Sequence, residues 1–183
     1  DQDPHRALEE LRKFGGLAAD QLAKLGEMVR LRKDEKRSLS GLVNHFVFAG
    51  PPGTGKTSVA RLLGRVLFSF GVIATKNVVI SSSTNLIGAY VGHSRKAVDE
   101  EMSEARGGVL LIDEAYDLGK GGFGQEALTQ LLNNLTLPEY MDGKTILVLA
   151  GYKDEMHAML EQNPGLKSRF TNYIDFEDFS VSK

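Results

Sequence analysis

One octapeptide constrains this chain more than any other feature. Gly50-Pro51-Pro52-Gly53-Thr54-Gly55-Lys56-Thr57 follows an apolar run at residues 45–49 (HFVFA) and precedes a stretch of helical composition at residues 58–70. Gly50, Gly53 and Gly55 allow the backbone to wrap closely round a phosphate chain, so that its N–H groups point inward as an anion nest. The helix that starts here adds its positive end. Lys56 supplies a mobile cation for β- and γ-phosphates, and Thr57 offers a hydroxyl to a hard cation such as Mg²⁺. The run matches a phosphate-binding loop at every required position. Pro52, Gly53, Thr54, Gly55, Lys56, Thr57 and Ser58 are therefore candidate nucleotide-binding residues, with ATP and Mg²⁺ as the expected cofactors. Such a loop works only between a buried strand and a helix, which commits the chain to an α/β fold.

The rest of the chain agrees. Residues 8–37 have helical composition broken at Gly15-Gly16, and Leu22, Leu25, Met28, Val29 and Leu31 suggest an amphipathic second helix. The dense charge at residues 30–37 reads as a solvated helix end. Thereafter short apolar runs at 45–49, 77–81, 109–112, 145–150 and 173–176 alternate with helical stretches at 58–70, 94–105, 124–136 and 154–161. Leu128, Leu131, Leu132 and Leu135 share one face of the third of these helices. Fully apolar strands alternating with helices imply a five-stranded parallel sheet covered on both faces, with ligands at the strands' carboxyl ends.

The third strand supplies the chemistry. Val109-Leu110-Leu111-Ile112 runs into Asp113-Glu114, placing two carboxylates beside the phosphate loop. Asp113, with Thr57, is the candidate metal-holding residue, acting through the cation's water shell. Glu114 is the candidate catalytic acid that orients or polarises the attacking water. A water-activating acid next to the metal site points to hydrolysis rather than transfer to a small molecule.

Composition removes several alternatives. The chain has 183 residues, 42% hydrophobic and 25% charged, which suits one soluble domain. It contains no cysteine, so disulfides, thiolate metal sites and thiol nucleophiles are excluded. No apolar run is long enough to span a bilayer, and residues 1–5 do not resemble a signal peptide, so a cytoplasmic protein with no membrane partner is expected. The net charge of -2 argues against nucleic acid as the main partner. The missing initiator Met suggests a piece of a longer chain. Asn134-Leu135-Thr136 fits a glycosylation sequon but falls in a predicted helix.

Four further segments carry a family likeness: residues 85–93 (NLIGAYVGH), 107–116 (GGVLLIDEAY), 124–127 (GQEA) and 163–170 (NPGLKSRF). Together with the phosphate loop they resemble the CbxX/CfqX family of AAA+ ATPases, which includes red-type Rubisco activases, sporulation-stage ATPases and type VII secretion ATPases. The resemblance covers residues 8–179. It implies the large AAA+ subdomain over residues 1–183, with residues 1–40 as its N-terminal helical segment. It also implies a homo-hexameric ring acting on a protein client. Tyr90 and Val91, before Gly92, match the pore loop that grips polypeptide. Arg169 matches the arginine finger that reaches the γ-phosphate of the neighbouring subunit, and so joins Lys56 and Glu114 among the catalytic candidates. Gly16 and Leu17, after Gly15, match the segment flanking the adenine.

Two departures stand out. Ala150-Gly151-Tyr152 occupies the place where many AAA+ proteins carry a polar γ-phosphate sensor. The chain also ends at Lys183, just past the fifth strand, so the helical lid is absent; weak nucleotide binding and poor hexamer formation are expected of this chain alone. Residues 120–124 (KGGFG) read as a mobile loop facing the pore or as a plain surface loop. His93 and Lys96 read as solvated helix residues. The leading expectation is an ATP-driven protein remodeller. A non-hydrolysing regulatory module and a nucleic-acid motor or loader are the alternatives.

Overall fold

The computed structural model describes residues 4–13 and 16–176. Two helices, α1 (Pro4–Arg12) and α2 (Gly16–Asp34), precede β1 (Phe46–Ala49). There follow α3 (Lys56–Ser69), β2 (Val78–Ser82), a short α4 (Ser83–Leu86) and α5 (His93–Ala105). Then come β3 (Val109–Asp113), a 3-10 turn (Ala115–Asp117), α6 (Gly121–Asn134) and β4 (Ile146–Gly151). The chain continues through α7 (Lys153–Gln162), α8 (Pro164–Arg169) and β5 (Asn172–Asp175). The expected strand–helix alternation is present, with boundaries shifted by one to three residues. Sequence periodicity misses α4, α8 and the 3-10 turn, because three to six residues are too few to show a helical period.

The five strands form one parallel sheet in the order β2-β3-β4-β1-β5. Period-two alternation splits their side chains between two cores. Phe46, Phe48, Val109, Leu111, Ile146 and Val148 pack with α1, α2 and α3 on one face. Val47, Leu110, Ile112, Leu147 and Leu149 pack with α5 to α8 on the other. Each of these large strand side chains stabilises the fold by about 1.5–3 kcal/mol through burial. That makes β1, β3 and β4 a rigid platform for whatever leaves their carboxyl ends. From β1 the chain turns toward β3 and β2, whereas from β4 it crosses β1 to reach β5. The strand order thus reverses around β1 and β4, where ligands bind in open parallel sheets.

Two local expectations need correction. The apolar face of α2 is narrower than its sequence suggests: Ala19, Leu22 and Val29 are buried, but Met28 and Leu31 are exposed. At 3.6 residues per turn Leu31 lies roughly opposite Leu22 and Met28 about a third of a turn from it, so both stay in solvent. Residues 120–124 do not form a projecting loop. The Gly119 N–H donates to the Gly124 carbonyl (2.8 Å), α6 already starts at Gly121, and Gly124 is buried against the Asp117 carbonyl. Gly124 permits that tight packing, while Gly121 and Gly122 stay exposed. Asn134 of the sequon is buried and donates its amide to Asp99 Oδ1 (2.9 Å).

Candidate functional site

The backbone after β1 is fixed from both sides. The Gly50 N–H donates to the Gly151 carbonyl (3.0 Å), and the Phe176 N–H donates to the Ala49 carbonyl (2.7 Å). A Cβ at position 50 would stand 2.8 Å from the Phe176 Cβ, so only glycine fits between these neighbours. The loop then turns through two left-handed glycines, Gly53 (φ 77°) and Gly55 (φ 90°), and Gly55 leads into α3. The backbone N–H groups of Gly53, Gly55 and Lys56 have no hydrogen-bond partner among the described residues. They are therefore available to an anion.

Lys56 turns back over this loop. Its Nζ donates to the carbonyls of Gly50 (2.6 Å) and Pro51 (3.3 Å). Burial pulls the ammonium's pKa below its ordinary value, and the nearby Asp113 carboxylate opposes that shift. Thr54 braces the loop from inside, with its hydroxyl donating to the Pro51 carbonyl (2.8 Å).

A cavity of about 290 Å³ opens at this point. Pro52, Gly53, Gly55, Lys56, Thr57 and Ser58 line it together with Asp113, Glu114, Tyr116, Gly151 and Tyr152. Most of the expected phosphate-loop residues and both acids therefore share one space. Thr54 does not line it, since its side chain points into the loop. Thr57 and Asp113 offer a hydroxyl and a carboxylate, an all-oxygen donor set. Mg²⁺ prefers this chemistry and completes its shell with water, so the residues fit that ion. Glu114 has a left-handed backbone (φ 50°, ψ 45°), uncommon for a non-glycine residue. Two bonds hold it: its N–H donates to Asp113 Oδ1 (2.9 Å), and its carbonyl accepts from the Ser83 hydroxyl (2.6 Å).

Several contributors are given no role by the sequence. Tyr116 and Tyr152 form one wall of the cavity, with ring centroids 6.4 Å apart, and Lys120 Nζ stands 5.7 Å from the Tyr116 ring centre. Desolvation, followed by the Glu114 charge, raises the Tyr116 pKa. Ser83 could be flagged only as part of the three-serine end of the second strand. Its reach to Glu114 comes from the parallel pairing of Ser82 with Asp113.

Arg169 lies elsewhere. Its carbonyl accepts from the His45 N–H (3.2 Å) at the amino end of β1, whereas the phosphate loop leaves the carboxyl end. Its guanidinium donates to the Gly165 carbonyl (3.1 Å). The four residues of β1 separate the two ends by about 13 Å at ~3.3 Å per residue. His45 beside it is buried, with Nδ1 accepting from the Leu147 N–H (2.9 Å). Burial, then the Arg169 charge, lowers its pKa to about 4, so the ring stays neutral near pH 7.

Tyr90 and Val91 are the most exposed large apolar side chains among the described residues, at 64% and 81%. His93 is not a plain solvated residue. It is half-buried and stacks on Tyr90, with ring centroids 4.6 Å apart and planes 13° from parallel. Lys96 is exposed, as expected. Of the adenine-flanking candidates, Gly15 lies outside the described residues. Gly16 opens α2 with Leu17 after it, and their surroundings likewise lie outside what is described.

A phosphate loop and two strand-end acids on a five-stranded parallel sheet define a P-loop nucleotide-binding fold. Residues 46–178 match the ATPase family associated with various cellular activities (AAA), and the chain belongs to that family. It is 40% identical over 158 residues to the stage V sporulation protein K of Bacillus subtilis, covering 82% of this chain and 48% of that one. It is 37% identical over 161 residues to the CfxQ homolog of Galdieria sulphuraria, covering 86% and 51%. It is also 37% identical over 160 residues to the ESX-1 secretion system protein EccA1 of Mycolicibacterium smegmatis, covering 84% and 27%. The chain thus spans about half the length of the first two relatives and about a quarter of the third. These relatives agree with the CbxX/CfqX likeness read from the motifs. Among the described residues no helix is long and apolar enough to cross a membrane.

Proposed function

We propose that the chain binds ATP with Mg²⁺, hydrolyses it, and serves as the nucleotide-binding subdomain of a ring-forming protein-remodelling ATPase. The observation that carries this reading is the single cavity shared by the phosphate loop, Thr57, Asp113 and Glu114. The N–H groups of Gly53, Gly55 and Lys56 and the Lys56 ammonium bind and orient the phosphate chain. Thr57 and Asp113 hold the cation, which when bound neutralises phosphate charge. Glu114 accepts a proton from the attacking water at its carboxylate, and its fixed backbone keeps that carboxylate in place.

Arg169 stands at the opposite end of β1 from its own phosphate loop, so it serves a neighbouring subunit's site. A planar, permanent cation suits charge developing on the transferred phosphoryl group. A site shared in this way between neighbours is the arrangement of a homo-hexameric ring. Exposed Tyr90 and Val91 contact a protein client, because an aromatic ring gives contact area that does not depend on client sequence. Residues 1–183 act as one unit, with residues 1–40 as its helical flank; Gly16 and Leu17 border the adenine, and the protein works in the cytoplasm.

The test is Glu114→Gln. ATP binding should stay within about twofold of wild type, while hydrolysis falls by ~10²-fold or more, the usual worth of a positioned base. Unchanged hydrolysis in this variant would overturn the assignment. A wild-type protein that binds ATP without any turnover would favour a non-hydrolysing module instead.

A further inference from the structure

Residues 87–92 connect α4 to α5 and carry Tyr90 and Val91 into solvent, yet side chains outside the segment hold their backbone. The Gly88 N–H donates to Ser94 Oγ (2.7 Å), and the Ala89 N–H donates to His93 Nδ1 (3.4 Å). Both partners sit in the first turn of α5, the helix the loop runs into. The third bond differs: the Gly92 N–H donates to Glu126 Oε1 (3.1 Å), and Glu126 belongs to α6. Helix α6 packs along α5, where Gln130 (2.8 Å) and Asn134 (2.9 Å) both donate to Asp99 Oδ1. Glu126 is therefore the loop's tie to a separate element. It holds the left-handed glycine (φ 84°) at which the loop becomes helix.

We propose that Glu126 is a positioning residue for this loop: its carboxylate fixes the Gly92 turn and so presents Tyr90 and Val91 to an extended polypeptide. The inference rests on the reading of this loop as client-contacting. Pre-organising a contact surface spares the entropy of ordering it on binding. The carboxylate oxygen that takes the Gly92 N–H also lies 3.7 Å from Arg95 Nε, and the Arg95 side chain is 59% exposed. A pair at that distance with its arginine largely in solvent contributes little, whereas a charge-assisted bond to a backbone N–H is among the stronger ones.

Glu126→Ala and Glu126→Gln separate the two contributions, because glutamine keeps an acceptor oxygen but loses the charge. In hydrogen exchange, Glu126→Ala should accelerate the Gly92 amide by about tenfold, and Glu126→Gln should stay within about threefold of wild type. Unchanged protection of β3 and β4 amides verifies that both variants fold. Capture of a dye-labelled, reduced and carboxymethylated lactalbumin should weaken about three- to tenfold for Glu126→Ala and recover in Glu126→Gln. Unchanged Gly92 exchange in Glu126→Ala overturns the proposal, as does equal acceleration in both variants. Tyr90→Ala is assayed beside them. If Tyr90→Ala loses capture while Glu126→Ala keeps it, the positioning role fails alone. If both keep capture, the client reading itself fails.

Discussion

The phosphate loop and the Tyr90 loop reach their helices by the same device and use it for opposite purposes. Gly55 (φ 90°) leads into α3, and Gly92 (φ 84°) leads into α5. In the first loop the side chains bond to the loop's own carbonyls, through Lys56 to Gly50 and Pro51 and through Thr54 to Pro51. Its N–H groups are left for a ligand. In the second loop the N–H groups of Gly88, Ala89 and Gly92 are taken by Ser94, His93 and Glu126. Its Tyr90 and Val91 side chains are left exposed. The first turn leaves amides open to an anion, whereas the second has its amides occupied and its Tyr90 and Val91 side chains exposed. The number of glycines does not decide between them; the placement of a few donors and acceptors does.

The comparison can be broken most directly at Lys56. Lys56→Ala removes both a phosphate ligand and the brace on two loop carbonyls. Calorimetric titration with ATP and Mg²⁺ should show affinity lower by about a hundredfold, the worth of one or two charged hydrogen bonds. A loss under about threefold would show that the loop does not use this cation.

A matched pair of glycine variants sharpens it. Gly53 (φ 77°) and Gly92 (φ 84°) are both left-handed, and a Cβ at either position would meet nothing within 4 Å. Gly53→Ala and Gly92→Ala should therefore each cost roughly 1–2 kcal/mol in urea unfolding, by backbone strain alone. They should part company in function, with ATP affinity falling in Gly53→Ala and polypeptide capture falling in Gly92→Ala. Identical effects of both variants on ATP affinity would refute the division of labour.

The smallest effect belongs to Val91. Val91→Ser should alter unfolding free energy by less than about 0.5 kcal/mol, because the side chain packs on nothing that folding buries. A change above about 1 kcal/mol would mean that the loop is part of the core rather than a display.

The same contrast separates what is legible in the sequence from what is not. The phosphate loop is legible, since nearly every residue there is dictated by local backbone geometry and by chemistry within eight positions. Asp113 and Glu114 are legible too, because an apolar strand ending in acids has one natural place in a parallel sheet. The support of the Tyr90 loop is not. Glu126 lies 34 residues from Gly92 in sequence, and His93 looks like any polar residue at a helix start. Ser83 is likewise 31 residues from Glu114, and no local pattern distinguishes it from Ser81 or Ser82. Gly124 misleads because composition reports conformational freedom and says nothing of the packing that removes it.

The sheet, its strand–helix alternation, the phosphate loop and the acids beside it can be read from the amino-acid order alone. Those features depend on periodicity and on close neighbours along the chain. Only the tertiary structure shows that Arg169 meets the amino end of β1 while the phosphate loop leaves its carboxyl end. It also decided that Tyr116 and Tyr152 wall the cavity, and that Glu126 on one helix holds a loop entering another. Such contacts depend on which strands and helices lie side by side, a property of the whole packed chain that no local window contains.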